Sequence, residues 1–223
     1  MKRNVFLLLV CAAIFLNLML VTASADGEGL LGLDVYVVGN HAYVAGGVGG
    51  LYVVNIRRPA NPKRVTSVDT PGTAKGVYAI GSFAYVADGS AGLQIVDIRN
   101  PANPRIIGSI ETPGDARNVD VFGDYACVAD AQAGLQVINI RDTMHPRIVA
   151  SIDTPGEAHR VQVAGDHAYV ADGIGGLQII NIKRPAAPRI VASVSALDDA
   201  RSVRVISDYA YVADFSMVFM QST

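Results

Sequence analysis

An all-β fold follows from three observations on the sequence. The chain has no tryptophan, is 51% apolar and contains 22 glycines, with an enrichment in Val, Ile and Tyr that favours strands over helices. A phrase of the type "AYVAD" recurs with its central residue at Tyr43, Tyr85, Cys127, Tyr169 and Tyr211, a constant spacing of 42 residues without insertions. Within each period, short apolar runs alternate with Gly, Pro and Asp turns and leave no room for a helix. Four short antiparallel strands per period of about 42 residues is the size of a β-propeller blade.

The first 25 residues stand apart from this repeat. Lys2 and Arg3 precede an apolar run from Val5 to Val21, and Ala23, Ser24 and Ala25 form an A-x-A-like site before Asp26. This pattern predicts a secretory signal peptide over residues 1–25, with an uncleaved membrane anchor as the alternative because the run approaches spanning length. Cleavage would take the formal net charge from −2 to −4, which gives no support for a nucleic-acid partner. The expected location is extracytoplasmic: secreted, periplasmic or on the cell surface. Cys11 lies in the leader, so Cys127 is alone in the mature chain and takes the place of a tyrosine in an apolar strand; it reads as a small buried hydrophobe.

Residues 26–34 read as a short linker and 35–223 as the propeller, with blades near 35–68, 77–110, 119–152 and 161–194 and a partial blade at 203–223. The copy "VYAIGSFAYVADGSAGLQIVDIRNPANPRIIGSI", Val77 to Ile110, shows the parts. Its first two strands, "VYAI" and "FAYVAD", are joined by Gly81-Ser82; Gly39-Asn40, Gly123-Asp124, Gly165-Asp166 and Ser207-Asp208 take the same place. Such pairs accept the positive φ of two-residue hairpins. The third strand, "LQIVDI", follows a glycine-bearing turn, and the fourth, "RIIGSI", follows a loop whose prolines cannot join a ladder. Strands that are apolar nearly throughout suit a sheet covered on both faces.

These runs, "LYVVNI", "LQIVDI", "LQVINI" and "LQIINI", each after a "YVAD"-like strand and before a Pro-rich loop, resemble the LVIVD repeat of prokaryotic surface and secreted proteins. The resemblance spans about Leu33 to Asp214. It implies a β-propeller outside the cytoplasm and carries no catalytic residues with it. The departure is at the end, where "FSMVFMQST" lacks the Gly175-Gly176-Leu177 element, so that at most "MVFM" is left for a third strand. Four complete blades and an incomplete fifth predict an open ring, closure through another chain, or a gene fragment, with self-association through the incomplete blade.

Aligned copies expose a basic column before the first strand of each blade: Lys75, Arg117, His159 and Arg201. If that strand lines the channel, these residues ring its mouth and could attract an anion. Counting across the hairpin sets them opposite Asp88, Asp130, Asp172 and Asp214. Acid and base vanish together in the first copy, at Gly46 and Leu33, so the expectation is a cross-strand ion pair. A second basic column flanks the Pro-rich loop (Arg57, Arg99, Arg141, Lys183; then Lys63, Arg105, Arg147, Arg189), while the links between blades carry acids such as Glu111, Asp115 and Glu157. The two faces should therefore differ in sign, and the basic rim could meet anionic envelope polymer or lipid headgroups.

Signals for an enzyme are sparse. His41 and His167 share a column with Phe83, Tyr125 and Tyr209, and His145 aligns with Asn61 and Asn103. No histidine or cysteine pair has metal-ligand spacing, and no nucleophile turn or phosphate loop occurs. Neither metal nor cofactor is expected. The sequence points to a non-catalytic binding or scaffolding propeller for a protein or glycan partner, with a hydrolase or lyase acting near His159 as the alternative.

Overall fold

The computed structural model describes residues 32–195 and 197–215. Within them the chain is all strand and turn, in four four-stranded antiparallel sheets and one of two strands. The first blade comprises β1 (Asp34–Val38), β2 (His41–Ala45), β3 (Leu51–Asn55) and β4 (Lys63–Val68). The second comprises β5 (Gly76–Ile80), β6 (Phe83–Ala87), β7 (Leu93–Asp97) and β8 (Arg105–Ile110). The third has β9 (Asn118–Phe122), β10 (Tyr125–Ala129), β11 (Leu135–Asn139) and β12 (Arg147–Ile152), and the fourth β13 (Arg160–Ala164), β14 (His167–Ala171), β15 (Leu177–Asn181) and β16 (Arg189–Val194). A fifth, two-stranded sheet is formed by β17 (Ala200–Ile206) and β18 (Tyr209–Asp214). The expected leader, and the "MVFM" run of the last copy, lie outside the described residues.

Strands follow one another in meander order within each full blade. The hairpin register is the expected one: Val38 faces His41, Ile80 faces Phe83, Phe122 faces Tyr125 and Ala164 faces His167. Gly81 has φ +59° and open space where a Cβ would point, so it is there for backbone conformation alone. Ser207 occupies the same place in the last hairpin at φ 53°. Each fourth strand is offset by a β-bulge opposite its neighbour, as between Ile95 and Val96, which adds twist at the outer edge.

The sheets pack face to face in sequence. One face of the first blade (Tyr36, Tyr43, Ala45, Leu51, Val53) meets the opposite face of the second (Val77, Ala79, Ala84, Val86, Val96) in one apolar cluster. Equivalent clusters form between blades two and three, three and four, and four and five. Strands apolar on both sides are explained by this arrangement, because every interior sheet is covered twice. The innermost strands β1, β5, β9, β13 and β17 touch in succession. Reciprocal backbone bonds further tie each blade to the next link: Gly89 N–H to the Ala116 carbonyl and Ala116 N–H to the Gly89 carbonyl, both at 3.0 Å. The fold is thus a β-propeller-like arc.

Candidate functional site

The basic column lies where the links enter the innermost strands. Backbone N–H groups of Lys75, Arg117 and His159 donate at 2.8 Å to the carbonyls of Ala87, Ala129 and Ala171, so the backbone register that places them opposite Asp88, Asp130 and Asp172 holds. The side chains do not follow. Among the described residues no ion pair joins Lys75 to Asp88, Arg117 to Asp130, His159 to Asp172 or Arg201 to Asp214, and the expected cross-strand pairs are absent.

The acids point into the incoming link instead. Asp88 accepts from Thr70 Oγ1 at 2.6 Å and from Gly72 N–H at 2.9 Å; Asp130 accepts from Thr112 and Gly114, and Asp172 from Thr154 and Gly156. Asp214 accepts from Asp199 N–H at 2.6 Å. The first three are fully buried, where a long cationic side chain could not follow without losing its water. Burial pushes their carboxyl pKa values up, against the pull of the Thr and Gly donors. Their role is to staple each link to the turn after the second strand.

The joint loss of acid and base in the first copy has another cause. A Cβ on Gly46 would sit 2.0 Å from the Tyr52 ring, so no aspartate fits there without moving that ring, and Leu33 stands before the first described strand.

The bases find carboxylates on their own link or on the next one, and the pairs that reach the next link form a ladder across blades. Lys75 Nζ meets Asp115 at 2.6 Å. Arg117 meets Asp115 at 3.5 Å and Glu157 at 2.8 Å, and Arg201 meets Asp199 at 2.6 Å. His159 lies between two guanidinium groups: Arg117 Nη1 is 2.5 Å from Nδ1 and Arg201 Nη1 is 3.0 Å from Nε2. Burial first, and these two cations second, hold its pKa down to about 4. A neutral imidazole has one acceptor nitrogen, so it cannot accept from both arginines. The structure therefore brings Lys75, Arg117, His159 and Arg201 into one line, charge-compensated by Asp115, Glu157 and Asp199. Partly exposed pairs of this kind are worth about 0.2–1 kcal/mol each.

A second tier of polar residues was missed by the column reading. Asp34, buried, accepts from Val77 N–H at 3.1 Å and Asn118 Nδ2 at 3.4 Å and lies 3.6 Å from Arg160; burial raises its pKa. Asp120 accepts from Val163 N–H at 2.7 Å, and Gln162 from Val205 N–H at 2.8 Å. These side chains satisfy the inner backbone edge of the next blade, a position that would otherwise be an unpaired strand edge. The signal in the sequence was two columns whose residue type varies between copies: Asp34, Gly76, Asn118, Arg160, Ser202, and Tyr36, Tyr78, Asp120, Gln162, Arg204. Cys127 is fully buried and its thiol pKa is raised by that burial, as a core residue's should be. Among the described residues no group of three His, Cys, Asp or Glu side chains converges as a metal site.

The comparisons agree with this architecture. Two crystal structures are similar in fold: the computationally designed Ika8 protein (TM-score 0.69, 7% identity, 85% of this chain and 57% of that one) and a functionally unknown protein from Desulfotomaculum acetoxidans DSM 771 (TM-score 0.66, 16% identity, 84% and 64%). The chain thus spans less than two thirds of either. No curated protein matches it. The LVIVD repeat is matched five times, at residues 33–70, 71–112, 113–154, 155–196 and 198–219; with these repeats coinciding with the blades, the chain belongs to the LVIVD repeat family.

Proposed function

We propose that this chain is a non-catalytic binding or scaffolding propeller that acts outside the cytoplasm and engages a protein or glycan partner. The observation that carries the reading is where the molecule breaks its own repetition. Polar columns at the blade junctions serve as staples, rungs and edge clips, whereas the largest departures from the repeat are at its end surfaces. At the C-terminal end Tyr209, Tyr211 and Phe215 are 68%, 52% and 60% exposed, on a sheet of two strands. An exposed aromatic face of this kind favours association.

Light scattering on the purified mature chain, with and without Tyr211→Asp, tests this. Concentration-dependent association of the wild type, weakened in the variant, is expected. A monomer that binds no apolar dye and is indifferent to the substitution would overturn docking through this end. Location is tested by N-terminal sequencing of protein from envelope or culture fractions: a start at Asp26 is expected, intact Met1 in the membrane would indicate the anchor, and intact Met1 on a cytosolic species would overturn the proposal.

The hydrolase or lyase alternative depends on His159, and the geometry does not favour it. Both ring nitrogens are within 3.0 Å of a guanidinium nitrogen, which leaves no free face for a substrate proton. His159→Arg, which restores the basic column, should leave every activity of the protein intact.

A further inference from the structure

We infer that the loop between β3 and β4 forms a phosphate-binding site on the face opposite the channel-mouth ladder. A surface hollow of about 220 Å³ there is lined by Asn55, Arg57, Arg58, Asn61 and Lys63, three cations and two amides with no carboxylate.

Each of the other full blades places one carboxylate against this loop. Asp97 binds Arg99 in the second, Asp142 binds His145 in the third, and Asp166 binds Lys183 in the fourth. Each of those acids has its counterpart in the first blade, and each is replaced: Asp97 by Asn55, Asp142 by Arg58, Asp166 by Asn40. Among the described residues Arg57, Arg58 and Lys63 form no ion pair. The Asn55 side-chain oxygen accepts from Arg57 N–H at 2.9 Å, which orients the amide at the hollow's wall. Guanidinium groups hold tetrahedral oxyanions through forked, charge-assisted bonds, and a hollow without competing carboxylates is where such bonds would form. The whole chain carries a formal charge of −2, so general attraction does not explain anion binding at this point. The ligand is a phosphate group, supplied free or by a lipid headgroup.

The test is a titration of the mature chain with inorganic phosphate at constant ionic strength against chloride, followed through arginine side-chain NMR signals. Saturable shifts at Arg57 and Arg58 are expected, with affinity about tenfold or more weaker in Arg57→Gln/Arg58→Gln and also reduced in the single variant Lys63→Gln. Arg99→Gln, in the second blade where Asp97 already holds that arginine, should bind as the wild type does. Co-sedimentation with phosphatidylglycerol vesicles, absent with phosphatidylcholine, would assign the phosphate to a membrane; phosphate binding without co-sedimentation would assign it to a soluble ligand. A response no greater than that to chloride, an unchanged response in the double variant, or equal losses in Arg99→Gln would each overturn the site.

Discussion

The first and fifth blades each have a face that no described sheet covers, and they treat it in opposite ways. In interior blades the corresponding face carries Gln94, Gln136 or Gln178 on the third strand and Ile106, Ile148 or Ile190 on the fourth; in the first blade these positions are Tyr52 and Arg64. Tyr52 stands directly across from Val44, its ring lies over Gly46 and Gly49, and the Arg64 guanidinium sits 5.4 Å from the ring centroid. Beneath this cover Ala42 and Val44 are 7% and 5% exposed although no described sheet packs on them. This face of the first blade thus has the character that capping repeats of stacked arrays have, a polar outer layer over an apolar sheet.

The fifth sheet keeps the interior pattern without an interior environment. Its Tyr211 belongs to the column of Tyr43, Tyr85 and Cys127, which are 3%, 4% and 0% exposed. It also fails to cover its neighbour, for β16 is exposed along its whole length whereas the equivalent β12 is half-buried at four of its six positions. One residue type at one repeat position can therefore be core or surface, depending on whether another described sheet packs on it.

The sharpest way to break this comparison is to place the same charge in the same column at two sites. Cys127→Asp should cost more than about 4 kcal/mol or abolish folding, as an unpaired buried carboxylate does, while Tyr211→Asp should cost less than about 1 kcal/mol. Chemical denaturation reads both; similar costs would mean that the fifth sheet is covered in solution.

The staple acids give the next largest effect. Asp130→Ala leaves the Gly114 N–H and the Thr112 hydroxyl without their acceptor and should cost about 2–4 kcal/mol, whereas Asp214→Ala in the open sheet, where water can substitute, should cost below about 1 kcal/mol. Asp130→Asn retains an acceptor and a donor and should lie between them.

The cap can be tested by restoring the repeat. Gly46→Asp forces a side chain into the Tyr52 ring and should destabilise by about 1–3 kcal/mol. Combined with Tyr52→Gln it should cost less than the two single changes together, because the clash is removed; additive costs would show that Tyr52 does not cover that turn.

An effect that is absent at neutral pH and appears only on acidification concerns how the fifth sheet is held to the fourth. With its pKa at about 4 in the folded chain against an ordinary value of 6.5, His159 binds protons more tightly when unfolded. Its contribution to stability is present above pH 6.5 and is lost as the pH falls towards 4. That slope should be missing in His159→Gln, and the imidazole NMR signals of the wild type should titrate near pH 4. Titration at pH 6 or above would mean that Arg117 and Arg201 do not flank the ring.

The period of 42 residues, the order of four strands per copy, the two-residue hairpins and the burial of Cys127 were determined by the sequence alone, because turn chemistry and apolar runs act over a few neighbouring residues and repeat in register; the first strand of each blade begins one to three residues earlier than the apolar runs suggest. What the tertiary structure decided is where each charged side chain turns. Register placed Lys75 opposite Asp88, yet a carboxylate at a strand end can swing toward Thr70 and Gly72 on an incoming link, and a lysine can reach Asp115, 40 residues further on. Those choices depend on the distance between blades and on which spaces exclude water, and both are set by packing between sheets rather than by pairing within one.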